Sequence, residues 1–164
     1  MEYAGLDLFI SLLLKYPEFN AVKYDTSHGL LRIDVALQGE VTFSRREEFI
    51  HKAKTCIALY HHLRGIQPEH LLLDFQKPMR SKLTLLRYHR DMASLHDGEM
   101  EVFSGILQQT FAGQLIKDSG RVILEEEFKK QVKKNLMQKI NRNNANVHDF
   151  VAYREDGRVL VFNK

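Results

Sequence analysis

The chain has 164 residues, of which 44% are hydrophobic and 27% charged, and a formal net charge of +3. This is the composition of one soluble domain with enough chain to bury a core, so we interpret residues 1–164 as a single domain. Cys56 is the single cysteine, which excludes an intramolecular disulfide and a CxxC redox or zinc site. A reducing, cytoplasmic location follows from this cysteine usage.

The first predicted element is a helix from about Tyr3 to Tyr16 that ends before Pro17. Its apolar run at 8–14 has no basic residue before it, contains a polar interruption, and is too short to span a bilayer. We therefore interpret the run as a buried core helix and expect no membrane partner.

A β-hairpin is predicted next, with Ala21 to Thr26 paired to Leu30 to Leu37 around the turn Ser27-His28-Gly29. Its second strand alternates apolar and charged residues, which is typical of a strand with one buried face. The residues expected on the buried face are Leu31, Ile33, Val35 and Leu37.

The following helix is predicted from a capping box, with Ser44 as N-cap and Glu47 three residues on, and from Gly65 as its C-terminal stop. His61 and His62 near its end suit the negative end of the helix dipole and have no metal-ligand spacing. The expected buried face is Phe49, Ile50, Ala53, Ile57, Tyr60 and Leu63.

A second strand pair is predicted from His70 to Gln76 and from Leu83 to Arg90, joined by a basic loop at 77–82. A helix from about Leu95 to Ile116 follows. Its expected buried residues are Val102, Phe103, Ile106, Leu107, Thr110 and Phe111. The short apolar segment Val122 to Leu124 fits either a strand or the start of another helix.

The segment from Phe128 to Arg142, named here the basic helix, carries six cations and no acid. Its apolar residues recur at four-residue steps, which predicts an amphipathic helix with a narrow apolar stripe. The stripe is Phe128, Val132, Leu136 and Ile140. A last hairpin is predicted from Val147 to Arg154 and Arg158 to Phe162, turning at Glu155-Asp156-Gly157.

These elements predict an α+β fold: a mainly antiparallel sheet built from three β-hairpins with helices packed on one face. From Leu30 onward the order is strand, helix, strand, strand, helix. This order matches a ferredoxin-like split βαβ unit if Val122 to Leu124 enters the sheet.

The densest titratable group is the His/Asp cluster of His89, Asp91, His96 and Asp97. These side chains could converge as metal ligands or as an acid and base. However, Ser94 followed by Asp97 is itself a helix-capping arrangement, so we predict no metal and no catalytic residue here. No phosphate-binding glycine loop or serine-nucleophile motif occurs, and no cofactor is expected.

The function expected first is a non-enzymatic cytosolic binding or regulatory module. It would form a homo-oligomer through an exposed sheet edge or through Phe128, Val132 and Leu136 of the basic helix. The alternative is nucleic-acid binding by the cations of the 77–82 loop and the basic helix. These cations are Lys77, Arg80, Lys82, Lys130, Lys134 and Arg142. A metal-dependent hydrolase using the His/Asp cluster is the second alternative.

The nucleic-acid alternative predicts that Lys130→Ala and Lys134→Ala each change the salt dependence of binding. Each lysine would neutralise one phosphate, so its loss should lower the log-log salt slope by about 0.9 on duplex DNA or about 0.7 on single strands. Anisotropy titrations with DNA and RNA at several salt concentrations measure the slope. Wild-type binding weaker than about 100 μM at physiological salt would contradict a nucleic-acid role.

Overall fold

A computed structural model of the chain describes residues 9, 11–12, 14–78, 82–116, 149–155 and 158–163. The described residues of the first predicted helix from position 9 to position 15 are helical. The remaining strands and helices are β1 (Ala21–Asp25), β2 (Leu30–Gln38), α1 (Phe43–Arg64), β3 (Leu71–Gln76), β4 (Leu83–Asp91), α2 (Asp97–Phe111), β5 (Asp149–Glu155) and β6 (Arg158–Asn163).

The strands form one six-stranded sheet in the order β3-β4-β2-β1-β5-β6, and every neighbouring pair is antiparallel. The α+β class predicted from the sequence is confirmed. Strand β4 lies between β2 and β3, while the other side of β2 is occupied by β1. The segment Val122 to Leu124 lies outside the described residues, so the ferredoxin-like unit stays a prediction.

The hydrophobic core lies between one face of the sheet and the helices. The four expected residues of β2 are all buried on this face, and the rings of α1 and α2 pack against neighbouring strands. Phe103 of α2 stacks on Tyr88 of β4 with ring centroids 4.6 Å apart. Phe49 of α1 meets Phe75 of β3 at 5.9 Å and Phe111 of α2 at 5.1 Å.

The start of α1 differs from the predicted capping box. The N-cap is Thr42, whose backbone is extended and whose hydroxyl oxygen accepts the backbone N–H of Arg45 at 3.3 Å. Ser44 is therefore already inside the first turn, and the prediction that it caps the helix is wrong. The predicted stop at Gly65 is confirmed, because its φ of 66° is left-handed, a conformation that glycine adopts without steric cost.

Two further helix predictions need correction. Leu63 is 74% exposed, because His61, four residues after buried Ile57, takes the inward position on the last turn. Helix α2 begins at Asp97 rather than Leu95, because a 3-10 turn over Met92–Ser94 intervenes. No helix among the described residues is both long and apolar enough to cross a membrane.

The basic helix lies outside the described residues, so its helical structure is neither supported nor contradicted. The backbone of the last predicted hairpin is described at 149–155 and 158–163, where β5 and β6 pair antiparallel with Glu155 opposite Arg158. The predicted start of this hairpin at Val147 lies outside the described residues, and the described strand covers Asp149–Glu155.

Helices α1 and α2 are in close contact where Gly98 faces Tyr60. A Cβ atom built on Gly98 would contact the Tyr60 hydroxyl directly and would lie 3.0 Å from Cζ of that ring. Glycine at this position therefore lets the N-terminal turn of α2 lie against α1.

We expect Gly98→Ala to lower the free energy of unfolding by about 1–3 kcal/mol, because the added methyl group must displace Tyr60. Gly105→Ala on the same helix is the control. No atom lies within 4 Å of its added Cβ, so alanine should stabilise that helix by up to about 1 kcal/mol. Urea denaturation measures both. If the loss persists in a Tyr60→Ala background, the contact with Tyr60 is not its cause.

Candidate functional site

A cluster of buried ionisable side chains lies where the end of β4 meets the first turn of α2. Along β4, Thr84, Leu86 and Tyr88 alternate toward the core, and Arg90 continues that alternation. A guanidinium therefore enters the core, where Arg90 is 0% exposed. Glu99 of α2 faces it and is likewise 0% exposed.

Arg90 and Glu99 form a bidentate ion pair. Nε of Arg90 donates to Oε2 of Glu99 at 2.8 Å, and Nη2 donates to Oε1 at 2.9 Å. The Tyr88 hydroxyl donates to Oε2 at 2.6 Å, and Nε2 of His61 contacts Oε1. Three elements, α1, β4 and α2, thus meet at one carboxylate.

The guanidinium also links the pair to the 3-10 turn and to the loop before β3. Nη1 of Arg90 contacts the Asp91 carboxylate and donates to the Ser94 hydroxyl at 2.9 Å. Asp91 in turn accepts the backbone N–H groups of Glu69 at 3.2 Å, His70 at 3.1 Å and Ser94 at 3.2 Å. The polar groups of this cluster are therefore matched with one another, as buried charges require.

The ionisation state of Glu99 follows from these contacts. Burial raises the pKa of the Glu99 carboxyl, but the hydrogen bonds from Arg90, Tyr88 and His61 outweigh burial and hold the pKa below its usual value. Burial and the nearby Glu99 carboxylate raise the pKa of Tyr88, so the phenol stays protonated and donates. At neutral pH the pair is therefore a carboxylate and a guanidinium.

The same balance holds at Asp91. Burial raises the pKa of its carboxyl, whereas the Ser94 hydroxyl, the backbone N–H of His70 and the Arg90 charge lower it, and the net pKa lies below its usual value. Asp91 is thus a second anion beside Arg90.

Part of this cluster reaches a surface cleft. His61 lines a cleft of about 430 Å³ between the C-terminal half of α1 and the start of β3. The other lining residues are Lys54, Ala58, His62, Ile66, Pro68 and Leu71. The lining is largely apolar and includes Lys54, so the cleft is suited to an apolar side chain better than to catalysis.

The predicted His/Asp cluster does not form one site. His89 points to the sheet face opposite the core and contacts Asp74 at 3.1 Å, whereas Asp91 belongs to the buried cluster. His96 and Asp97 are exposed at the start of α2. Across the described part of the chain, no group of three or more histidine, cysteine or acidic residues is arranged to hold a metal.

The capping explanation for this region is also corrected. Ser94 does not cap α2: its hydroxyl donates to Asp91, which itself caps the 3-10 turn. The N-cap of α2 is His96, whose side chain makes no capping hydrogen bond.

The cations predicted to bind nucleic acid are only partly described. Lys77 is ion-paired with Glu40, and Lys82 is exposed. The other predicted binding and interface residues lie outside the described ranges: Arg80, Lys130, Lys134, Arg142, Phe128, Val132 and Leu136.

Comparison with protein-family models, curated proteins and solved structures found no match to this chain.

Sequence reasoning missed the buried ion pair, although the signal was present. Arg90 is in phase with Leu86 and Tyr88 of the same strand, and Glu99 lies four residues before buried Phe103. Opposite charges at two core positions indicate a buried ion pair, because an unpaired buried charge is costly.

Glu99→Leu should lower the free energy of unfolding by about 3–5 kcal/mol, because it leaves the Arg90 guanidinium buried without its bidentate partner. Glu101→Leu is the control on the same helix. Its ion pair with Lys15 is exposed, so its loss should have little effect. Denaturant unfolding at neutral pH compares the two variants.

The pH dependence of stability provides a second measurement of the same variant. Because folding lowers the pKa of Glu99, its contribution is fully present above the ordinary value of 4.5 and is lost as pH falls through the lower folded value. Wild-type stability should fall in this range more steeply than that of Glu99→Leu. Equal pH dependence would contradict the assignment.

Proposed function

We propose that the chain is a non-enzymatic, cytosolic binding module that self-associates by pairing strand β3 with β3 of a second copy. The observation that carries this proposal is the position of β3 at one end of the sheet. In the described part of the structure, no strand pairs with its outer side. An edge strand presents a row of backbone donors and acceptors that another strand is able to pair with.

The register identifies which backbone groups are available. The N–H of Asp91 donates to the carbonyl of His70 at 3.2 Å, so residues 70 and 91 form a hydrogen-bonded pair of the ladder. Because such pairs alternate with non-hydrogen-bonded ones, the backbone groups of Leu71, Leu73 and Phe75 point away from β4. An antiparallel second copy of β3 would meet these groups with its own identical set.

Apolar side chains lie beside β3 on both faces of the sheet. On the open face Leu72 is 44% exposed. On the helix face the 430 Å³ cleft begins at Leu71, with Ile66 and Pro68 beside it. A strand added at β3 would therefore bury apolar side chains as well as satisfy backbone groups.

The buried ionic cluster supports a non-enzymatic role. Its carboxylates accept hydrogen bonds from within the cluster, and Arg90 is bound to Glu99, Asp91 and Ser94 at once. A group fixed in this way stabilises the fold, whereas a general acid or base must reach a substrate proton.

The size of the contact sets the expected affinity. A pairing of six-residue strands with a small cleft buries less than the roughly 800 Å² per partner of a standard stable interface. The association should therefore be weak, with a dissociation constant in the micromolar range.

Multi-angle light scattering over a micromolar concentration series should show a reversible dimer. Leu72→Lys should shift it to monomer, because a charge on an edge strand opposes strand pairing. Leu63→Lys, a similar change at the exposed end of α1, should leave the dimer intact.

One further variant separates the two routes to self-association. If Leu136→Lys dissociates the dimer and Leu72→Lys does not, the stripe of the basic helix mediates the contact instead of β3. A wild-type protein that stays monomeric up to about 1 mM would contradict self-association altogether.

A further inference from the structure

A second cleft, of about 180 Å³, lies on the face of the sheet opposite the core helices. The register brings Lys23 of β1, Arg32 of β2 and His89 of β4 into one row across three adjacent strands. His70, before β3, completes the wall, with its ring centroid 6.3 Å from that of His89. Four nitrogen-bearing side chains from separate parts of the sequence thus line one concave site.

The lysine and the arginine of this cleft differ in their pairing with acids among the described residues. Lys23 has no side-chain ion pair or hydrogen bond to another described residue. Nε of Arg32 lies 3.0 Å from Oδ1 of Asp34, and Nε of Arg87 lies 3.5 Å from the same oxygen. Arg32 is therefore paired with an acid, and Asp74 on the same face contacts His89 at 3.1 Å. Lys23 is the lysine of the cleft that lacks an acidic partner among the described residues.

The acid in the wall of the cleft is engaged elsewhere. Asp25 accepts the backbone N–H of Ser27 at 3.0 Å and that of His28 at 3.2 Å. Its other oxygen contacts Nδ1 of His28 at 2.7 Å. These contacts hold the carboxylate in the turn between β1 and β2.

We propose that this cleft binds the phosphate group of a small phosphorylated molecule, with Lys23 and Arg32 as the charged contacts and His70 as an additional donor. Guanidinium and ammonium groups are the side chains that recognise phosphate oxygens. The volume limits the ligand: small-molecule pockets usually span about 300–1,000 Å³. A cleft of 180 Å³ takes one phosphate group and leaves the rest of the molecule outside.

The test is calorimetric titration of the full chain with inorganic phosphate and with glycerol 3-phosphate, using acetate as the control anion. We expect saturable binding of both phosphates and weaker binding of acetate. Tighter binding of the ester would identify a phosphorylated metabolite as the ligand class, and equal binding would identify free phosphate.

Variants localise the binding. Lys23→Ala should weaken phosphate binding about tenfold, the usual effect of losing one charged hydrogen bond, and Lys23→Arg should retain it. Lys52→Ala, at an exposed position of α1 that lines neither cleft, should bind like wild type. Lys23→Gln keeps most of the side-chain stem and repeats the test if Lys23→Ala does not fold.

Two results would overturn the proposal. One is the absence of saturable binding up to about 10 mM phosphate, which corresponds to less than about 3 kcal/mol of affinity. The other is equal weakening in Lys23→Ala and Lys52→Ala, which would show attraction to overall charge rather than to this cleft.

Discussion

The Arg90–Glu99 ion pair is the constraint that relates the helices to the sheet. Both side chains are fully buried, and the Glu99 carboxylate also receives Tyr88 from β4 and contacts His61 from α1. Removing two charges from water costs several kcal/mol per ion, so the pair is tolerated only with every hydrogen bond in place. The fold must therefore bring α1, β4 and α2 to one point with ångström accuracy.

The same cluster determines where the edge strand β3 begins. At the cluster, the loop before β3 and the 3-10 turn are held by Asp91, which fixes where β3 begins. Beyond that point β3 is an edge with apolar surface beside it. A strand that is held at its start and pairs with no described strand on its outer side loses little conformational entropy on pairing, which favours association through that edge.

The open face of the sheet depends on the same alternation along β4. Because Arg90 faces the core, His89 must face the other side, where it joins Lys23 and Arg32. Arg90 is thus paired in the core, and its neighbour His89 lines a surface cleft. The two proposals, strand pairing at β3 and phosphate binding on the open face, use different surfaces of the sheet.

The sequence by itself determined the α+β class, the approximate positions of β1 to β4 and the stop of α1 at Gly65, because alternation and left-handed glycine are local properties of the chain. It did not determine that Leu63 is exposed or that Thr42 caps α1, since helix ends depend on which residue turns inward. Only the tertiary structure decided which charged residues are exposed and which are paired in the core. The same local sequence pattern is compatible with a charged residue in water and with one paired in the core. The sequence around Arg90 does not distinguish the two, because its partner Glu99 lies on another element.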